Sequence, residues 1–382
     1  MTVFLKKMLV ASVLLLLVVP LFSLHRTSAQ APAVSAQTAA LMELATGRLL
    51  DAKDSHRRLP IASITKVMTA LLAIESGKMN DTVVVSPEAI RTEGSSIYLK
   101  AGERIKLRDL VYGLMLRSGN DASRAIAEAV AGSEQGFVFL MNEKAKAIGM
   151  DDTHFANPNG LQNDAHYSSA YDMALLMREA MRQPLFRRIT GTKSYSVPAT
   201  NRSEARLWLN KNKMLRQYPF ATGGKTGYTE VAGRTLISTA SKDGMELVAV
   251  TLNDRDDWRD HSRLFDWGFT TYKETVVMHR GTLNADVSKP YRGHLYVKET
   301  LRVPLAGREA AQIKKTLTLI KYTAFSRERM SDEPCGSMQI NVGNKTLAEV
   351  PVYYQEQVKK SSFLIDFEQV LASLFSGGRS DD

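Results

Sequence analysis

The period of the hydrophobic pattern changes along the chain, and this change constrains the fold more than any other feature. Between residues 64 and 180, apolar residues recur three and four positions apart, which predicts a series of amphipathic helices. Two short segments of strand character, 39–44 and 48–52, precede the helices and flank a tight turn that ends at Gly47. The chain therefore predicts a hairpin followed by a helical region.

Strand character returns after the helical region. Lys225 is expected to open a strand, and the segments 235–240 and 245–252 follow it, joined by the hairpin dipeptide Asp243 and Gly244. The first hairpin has to pair with these late strands to complete a sheet. We therefore predict an α+β domain over residues 30–275, in which helices pack on an antiparallel sheet.

The predicted helices begin and end at recognisable signals. The first starts near Ile64 and stops at Gly77, and another begins at Ser169, which with Asp172 resembles a capping box. The buried face of the helix that begins at Ser169 is expected to consist of Met173, Leu176, Met177 and Ala180. The other helices are expected at 107–116, 121–131, 137–148 and about 257–269.

Both ends of the chain differ from its middle. Two lysines, an apolar run from Met8 to Leu24 and then small residues predict a signal peptide over residues 1–29, with an uncleaved membrane anchor as the alternative. Residues 276–358 are rich in strand-forming segments, which predicts a small all-β accessory domain. The apolar stripe of residues 359–382 predicts an amphipathic helix that lies on a membrane surface, or one docked on its own domain.

Composition limits the partners. The 382 residues carry a formal net charge of +10, which favours anionic lipid headgroups or an anionic cell wall. Nucleic acid is not an expected partner, because the chain is predicted to be exported and has no nucleic-acid-binding motif. The single cysteine, Cys335, excludes an intrachain disulfide and is expected to be a buried, inert thiol.

Three short motifs carry the candidate chemistry. A nucleophile and a base are expected where a Ser and a Lys lie three positions apart at the start of a helix, since such residues share one helix face. Each motif alone is a weak signal. In chain order, the first motif lies at the start of a helix, the second in a loop between helices and the third on a strand. Together they match the set found in β-lactamases and penicillin-binding proteins. The three motifs are Ser63-x-x-Lys66, Ser118-Gly119-Asn120 and Lys225-Thr226-Gly227.

The chain resembles the low-molecular-mass penicillin-binding proteins that are serine D-alanyl-D-alanine carboxypeptidases. The resemblance covers nearly the whole chain and is densest in residues 58–66, 116–122 and 223–229. Within this family, the chain is most similar to the spore-cortex carboxypeptidases of endospore-forming bacteria. The resemblance implies a β-lactamase/transpeptidase-like catalytic domain, peptidoglycan stem peptides as substrates and β-lactams as inhibitors. It also implies a place outside the cytoplasm at the membrane, such as the outer forespore membrane.

The resemblance and the chemistry of acyl transfer together suggest a role for each residue. Ser63 would be the nucleophile and Lys66 its base, provided that burial and the nearby Lys225 lower the pKa of the Lys66 amine. Ser118 would relay a proton to the leaving amine, and Asn120 would bind Lys66 and the substrate amide. Thr226 and Lys225 would hold the substrate carboxylate, with Arg206, Arg234 or Arg255 assisting. Gly227 would let the substrate lie along the strand, and the oxyanion would bind the Ser63 N–H and one N–H after Gly227.

Other functions remain as alternatives. A β-lactamase of class A would use a glutamate after the second motif, but no glutamate lies between Glu143 and Glu179. A D,D-transpeptidase on the same scaffold and a non-catalytic wall-binding protein are the remaining candidates. No cofactor is expected, and no metal is expected because no ligand spacing is present. His166 is interpreted as structural, because no Ser and Asp are spaced to form a triad with it.

Overall fold

The computed structural model describes residues 30–321 and 333–355. The predicted signal peptide (1–29) and the predicted tail helix (359–382) lie outside the described residues. The predicted catalytic region lies within them, and so does most of the predicted accessory domain.

Residues 38–271 contain helices in the middle and strands at both ends. The first elements are β1 (Thr38–Glu43), β2 (Leu49–Lys53), a 3₁₀ turn (Ala62–Thr65), α1 (Lys66–Glu75), β3 (Thr82–Val84), α2 (Pro87–Ile90), β4 (Arg104–Lys106), α3 (Leu107–Arg117) and α4 (Asn120–Ala131). Next come α5 (Glu134–Ala147), α6 (Ala170–Met181), α7 (Pro184–Gly191), β5 (Ser194–Val197), β6 (Arg206–Leu209) and α8 (Met214–Gln217). This part ends with β7 (Ala221–Thr229), β8 (Gly233–Lys242), β9 (Met245–Leu252) and α9 (Asp257–Thr271).

The early hairpin and the late strands form one antiparallel sheet in the order β2-β1-β9-β8-β7. Strand β1 pairs with β9 along its whole length, from Thr38 opposite Leu252 to Glu43 opposite Leu247. The predicted α+β architecture and the pairing of the hairpin with the late strands are therefore confirmed. Strand β7 lies at the edge of the sheet, so one side of its backbone is not covered by another strand of this sheet.

Helices cover both faces of this sheet. On one face, Met42 and Val250 pack into the same core as Val67 of α1. On the other face, Leu41 packs with Phe265 of α9. Every residue of β1 is buried, which explains why apolar residues follow one another in this strand instead of alternating with polar ones.

The start of α6 agrees with the capping prediction in part. The Ser169 hydroxyl accepts a hydrogen bond from the Asp172 N–H at 3.1 Å. The Asp172 carboxylate accepts instead from the Asp152 N–H at 2.8 Å, so it links the cap to the preceding loop. The predicted buried face of Met173, Leu176, Met177 and Ala180 is confirmed, since all four are fully buried.

Two local predictions were wrong. Lys225 does not open a strand: β7 begins at Ala221, because the glycines before Lys225 continue the strand rather than form a turn. A Cβ at Gly223 would lie 2.4 Å from Thr190 Cγ2, so this glycine allows α7 to pack closely on β7. The first helix begins at Lys66 rather than near Ile64, and Ser63 lies in the 3₁₀ turn that precedes it. The short elements α2, α7, α8, β5 and β6 were not predicted.

The C-terminal part consists of strands. Its elements are β10 (Tyr272–Met278), β11 (Gly281–Thr282), β12 (Leu295–Val297), β13 (Leu301–Ala306), a 3₁₀ turn (Glu309–Gln312), β14 (Ile313–Leu319), β15 (Pro334–Val342) and β16 (Lys345–Tyr354). One sheet has the order β11-β12-β16-β15-β14, and β10 pairs with β13. The predicted C-terminal sheet domain is confirmed, and Cys335 is fully buried in its core as predicted. Among the described residues, no helix has both the length and the apolar character needed to cross a bilayer.

Candidate active site

The predicted site residues meet at a cleft of about 410 Å³ along the edge strand β7. Ser63, Ser118, Thr226 and Gly227 line the cleft directly, although they come from three distant parts of the chain. Lys66, Asn120 and Lys225 lie behind this surface and are buried. Ser95, Lys211, Tyr228, Arg234, Asp257 and Trp258 complete the lining.

The 3₁₀ turn that carries Ser63 is fixed by hydrogen bonds from elsewhere in the chain. The Thr235 hydroxyl of β8 donates to the Ile61 carbonyl at 2.9 Å, which attaches the turn to the sheet. Ala62 adopts a positive φ of 49°, an uncommon conformation for a residue with a side chain. The Ser63 side chain is thereby presented to the cleft at the start of α1, where the helix dipole favours negative charge.

The Lys66 amine is the centre of the hydrogen-bond network. It is fully buried, and it donates to Ser63 Oγ at 2.9 Å, to Asn120 Oδ1 at 2.7 Å and to the Asn159 carbonyl at 2.5 Å. Burial, together with the nearby positive charge of Lys225, holds the pKa of Lys66 well below its usual value. The amine is thus shifted toward the neutral form, in which it can accept a proton from Ser63.

The second motif sits where α3 ends and α4 begins. Ser118 adopts a left-handed conformation with φ of 67°, which ends α3 and aims its hydroxyl at the cleft. The Asn120 amide nitrogen donates to the Glu93 carbonyl at 2.5 Å, so its oxygen is directed at Lys66. The next residue, Asp121, accepts hydrogen bonds through its carboxylate from backbone N–H groups of the loop at 97–99. That loop is therefore tied to the second motif.

The third motif places a buried cation beside Ser118. The Lys225 amine donates to Ser118 Oγ at 3.1 Å and to the Thr226 carbonyl at 2.6 Å. Burial and the charge of Lys211 lower the pKa of Lys225 to about 7. The two motif lysines thus share an environment that disfavours two positive charges.

Gly227 is where β7 approaches the nucleophile most closely. A Cβ at this position would lie 2.4 Å from Thr235 Oγ1 and 2.9 Å from the Ser63 backbone nitrogen. Only a residue without a side chain leaves room for the strand and the 3₁₀ turn at this distance. The N–H of Ser63 is therefore held at the edge of β7.

The comparisons with known proteins agree with this site. The profile of the peptidase S11 family, described as D-alanyl-D-alanine carboxypeptidase, matches residues 25–256. The D-alanyl-D-alanine carboxypeptidase DacF of Bacillus subtilis is 34% identical over 343 residues, which cover 86% of this chain and 87% of DacF. This chain belongs to the D-alanyl-D-alanine carboxypeptidase family.

Two solved structures have a fold similar to that of this carboxypeptidase. The crystal structure of penicillin binding protein 6B from Escherichia coli has a TM-score of 0.66 at 28% identity and covers 85% of this chain and 97% of its own. The crystal structure of the Mycobacterium tuberculosis carboxypeptidase has a TM-score of 0.61 at 34% identity and covers 64% and 95%. The predicted family, fold and activity class are confirmed, and the β-lactamase, transpeptidase and non-catalytic alternatives are not favoured.

His166 of this carboxypeptidase supports the nucleophile turn without facing the cleft. Its Nδ1 accepts from the Ala156 N–H at 3.0 Å, so the proton is assigned to Nε2, which lies 2.7 Å from Thr65 Oγ1. The Thr65 hydroxyl in turn donates to the Ala62 carbonyl at 2.8 Å. Burial lowers the pKa of His166 to about 4, so it is neutral at physiological pH. These contacts agree with the interpretation of His166 as structural.

Two contributors to the site were missed by sequence reasoning. Asn159 contributes a backbone carbonyl to Lys66, and no side-chain pattern announces such a contact. Lys211 lines the cleft, and its charge lowers the pKa of both motif lysines. The only available signal for Lys211 was its position between Asn210 and Asn212 shortly before the third motif.

The structure separates the three candidate arginines. Arg206 pairs with the buried Glu103 away from the cleft, and Arg255 is not among the residues that line it. Arg234 lines the cleft, but it is paired with Asp257. Within residues 30–321 and 333–355, no group of three His, Cys, Asp or Glu side chains is arranged to hold a metal ion.

Proposed function

We propose that this carboxypeptidase removes the terminal D-Ala from peptidoglycan pentapeptide stems through an acyl-Ser63 intermediate. The observation that carries the proposal is the contact between the buried Lys66 amine and Ser63 Oγ at 2.9 Å. A neutral amine at hydrogen-bond distance from a hydroxyl is the arrangement that general-base activation of a serine requires.

Acylation begins with transfer of the Ser63 hydroxyl proton to the Lys66 amine. The Ser63 oxygen forms a bond to the carbonyl carbon of the penultimate D-Ala, and the carbonyl oxygen becomes an oxyanion. The backbone N–H groups of Ser63 and Tyr228 stabilise this oxyanion, an interaction whose loss typically lowers the rate about 10²- to 10³-fold. The closeness of β7 to the 3₁₀ turn at Gly227 supports this assignment.

Breakdown of the tetrahedral intermediate releases D-Ala. The carbon–nitrogen bond breaks, and the proton held by Lys66 reaches the leaving amine through the Ser118 hydroxyl. Asn120 keeps the Lys66 amine in place throughout. A water molecule then loses a proton to Lys66 and attacks the acyl carbon, the bond between that carbon and Ser63 Oγ breaks, and Lys66 returns the proton to Ser63 Oγ.

The substrate lies along β7 as an added strand. Because β7 is an edge strand, its outer backbone groups can pair with an extended peptide. The Thr226 hydroxyl and Lys225 contribute to binding of the terminal carboxylate. β-Lactams present a reactive amide and a carboxylate in a similar arrangement, so they would acylate Ser63 and inhibit the enzyme.

We place this activity outside the cytoplasm, at the membrane surface. The predicted signal peptide and the predicted amphipathic tail support this location, and the net charge of +10 suits an anionic surface. By removing a D-Ala that cross-linking requires, the enzyme would limit the number of cross-links. The similarity to spore-cortex carboxypeptidases supports the cortex, at the outer forespore membrane, as the setting.

The decisive experiment is mass spectrometry of the purified protein after brief exposure to a penicillin, and separately to a pentapeptide ending in D-Ala-D-Ala. A penicilloyl adduct on Ser63 and release of one D-Ala are expected. Ser63→Ala should abolish both. Ser76→Ala, at the far end of α1 and outside the cleft, is the matched control and should retain both.

Other outcomes of this experiment would contradict the proposal. Turnover of penicillin without an accumulated adduct would indicate a β-lactamase. Transfer of the acyl group to an added amine in preference to water would indicate a transpeptidase. Absence of any adduct on Ser63 would support the non-catalytic alternative.

A further inference from the structure

The two ends of the cleft along β7 carry different positive charges. Arg234 is opposite Tyr228 in the strand register, so it marks the Tyr228 end. Lys211 precedes Asn212, whose amide nitrogen lies 2.9 Å from the position of a Cβ at Gly224, so it marks the Gly224 end. At a rise of about 3.4 Å per residue, the two ends are roughly 13 Å apart. The backbones of Arg234 and Lys211 therefore lie at opposite ends of the cleft.

The proposed chemistry determines which end holds the leaving group. Ser118 protonates the leaving amine, and Ser118 lies beside Lys225, next to Gly224 in the strand. The terminal carboxylate is separated from that amine by a single Cα. The carboxylate must therefore lie near Ser118, at the Gly224 end of the cleft and away from Arg234.

Lys211 is well placed to meet the carboxylate at this end. Its backbone N–H donates to the Leu116 carbonyl at 3.0 Å, two residues before Ser118, so its position is fixed relative to the second motif. Lys211 is exposed and lines the cleft. Lys225, in contrast, is only 2% exposed, and its amine already donates to Ser118 and Thr226.

The remaining charges leave Lys211 as the available cation. Arg234 has a partner in Asp257, which neutralises its charge. In the part of the chain that the structure describes, Lys211 forms no ion pair with a carboxylate. Its positive charge adds to burial in lowering the pKa of both motif lysines. A cation in this position becomes paired when an anionic substrate binds.

We infer that Lys211 is the specificity residue that pairs with the terminal carboxylate of the substrate, whereas Arg234 lies on the side of the acyl group. This inference rests on the proposed function, because it uses the position of the leaving group. It assigns to a lysine outside the three motifs the preference for a free C-terminus.

The test compares two substrates that differ only at the terminal group. Peptides ending in D-Ala-D-Ala and in D-Ala-D-Ala carboxamide are assayed by release of D-Ala or its amide, as kcat/KM. Lys211→Gln should lower kcat/KM for the carboxylate peptide roughly ten- to a hundredfold, the range of one charge-assisted hydrogen bond. Any change in the pKa of the motif lysines acts on both peptides alike, so the carboxamide peptide should lose less activity than the carboxylate peptide, and the preference for a carboxylate is lost.

Three further variants complete the design. Lys211→Arg should restore most of the preference. Lys213→Gln removes an exposed lysine two positions away that does not line the cleft, and it should behave as the wild type. Arg234→Gln should keep the ratio of the two kcat/KM values, even if it changes both values.

Specific results would overturn the inference. If Lys211→Gln slows both peptides equally and shifts their pH profiles together, Lys211 acts only on the pKa of the motif lysines. If Arg234→Gln removes the preference, the carboxylate binds at the other end of the cleft. A wild-type enzyme that releases D-Ala while Lys211→Gln keeps the ratio refutes this inference alone; a wild type that releases none refutes the proposed function with it.

Discussion

Gly227→Ala tests whether the close approach of β7 to the nucleophile matters for catalysis. The new Cβ would lie 2.9 Å from the Ser63 nitrogen and 3.1 Å from the Ile64 nitrogen, both backbone atoms. Restoring a separation of 3.4 Å requires the strand and the 3₁₀ turn to move apart by roughly 0.5 Å. Such a shift changes the position of the oxyanion relative to both N–H donors.

The expected effect follows from that displacement. A misplacement of about 1 Å can lower a rate 10²-fold, and loss of one oxyanion donor lowers it 10²- to 10³-fold. We therefore expect acylation by a fluorescent penicillin to slow by about 10²-fold. Overpacking should also lower the free energy of unfolding by about 1–3 kcal/mol, measured by denaturant titration.

A matched variant separates the two effects. Gly268→Ala in α9 places a Cβ 2.8 Å from Leu247 Cδ1, so it also overpacks the protein, but far from the cleft. It should lose stability and keep the wild-type acylation rate. If Gly227→Ala folds and acylates as fast as the wild type, the contact between β7 and the Ser63 turn does not position the oxyanion hole, and the reasoning fails.

Three further predictions concern the buried polar groups. Because the pKa of Lys66 lies well below its usual value, acylation should rise with pH through a midpoint far below 10.5; a midpoint near 10.5 in stopped-flow profiles would contradict this. Lys225→Met should abolish activity but stabilise the fold by about 1–3 kcal/mol near pH 7. Since the pKa of Lys225 is about 7 when folded and higher when unfolded, the stability of the wild type rises with pH above 7, and the gap to the variant should close toward pH 10 in denaturant titrations. Thr65→Val breaks the connection from His166 to the nucleophile turn and should lower the acylation rate several-fold and the Tm by a few degrees, measured by calorimetry.

The parts of the site that sequence could predict are those whose chemistry is local. Ser63 and Lys66 are three positions apart, and both a 3₁₀ turn and an α-helix place such residues on the same side, so the contact does not depend on which of the two carries Ser63. Hydrophobic period identified the helices and the sheet, because burial of one face is a property of a short segment. The order of the motifs then indicated the family.

The parts that sequence could not predict depend on backbone atoms or on distant packing. The Asn159 carbonyl binds Lys66 whatever its own side chain is, so composition holds no trace of it. The start of β7 was misplaced because Gly223 and Gly224 resemble a turn, whereas each is a contact point, with α7 and with β8 respectively. Lys211 looks like a surface lysine until the fold brings it to the end of the cleft.

The placement of the lysines explains how one cluster of charge can serve both binding and catalysis. Lys66, Lys225 and Lys211 converge on a small region, and burial prevents water from screening the first two. Burial first, and then the charges of Lys225 and Lys211, disfavour a proton on Lys66 in the free enzyme, which makes the amine available as a base. When a carboxylate pairs with Lys211, part of that repulsion is removed, and the Lys66 amine becomes more basic as it is about to accept the Ser63 proton. Because such coupling is reciprocal, the enzyme should bind a free C-terminus more tightly when Lys66 is protonated. The same free carboxylate that identifies the substrate would then also favour the first chemical step.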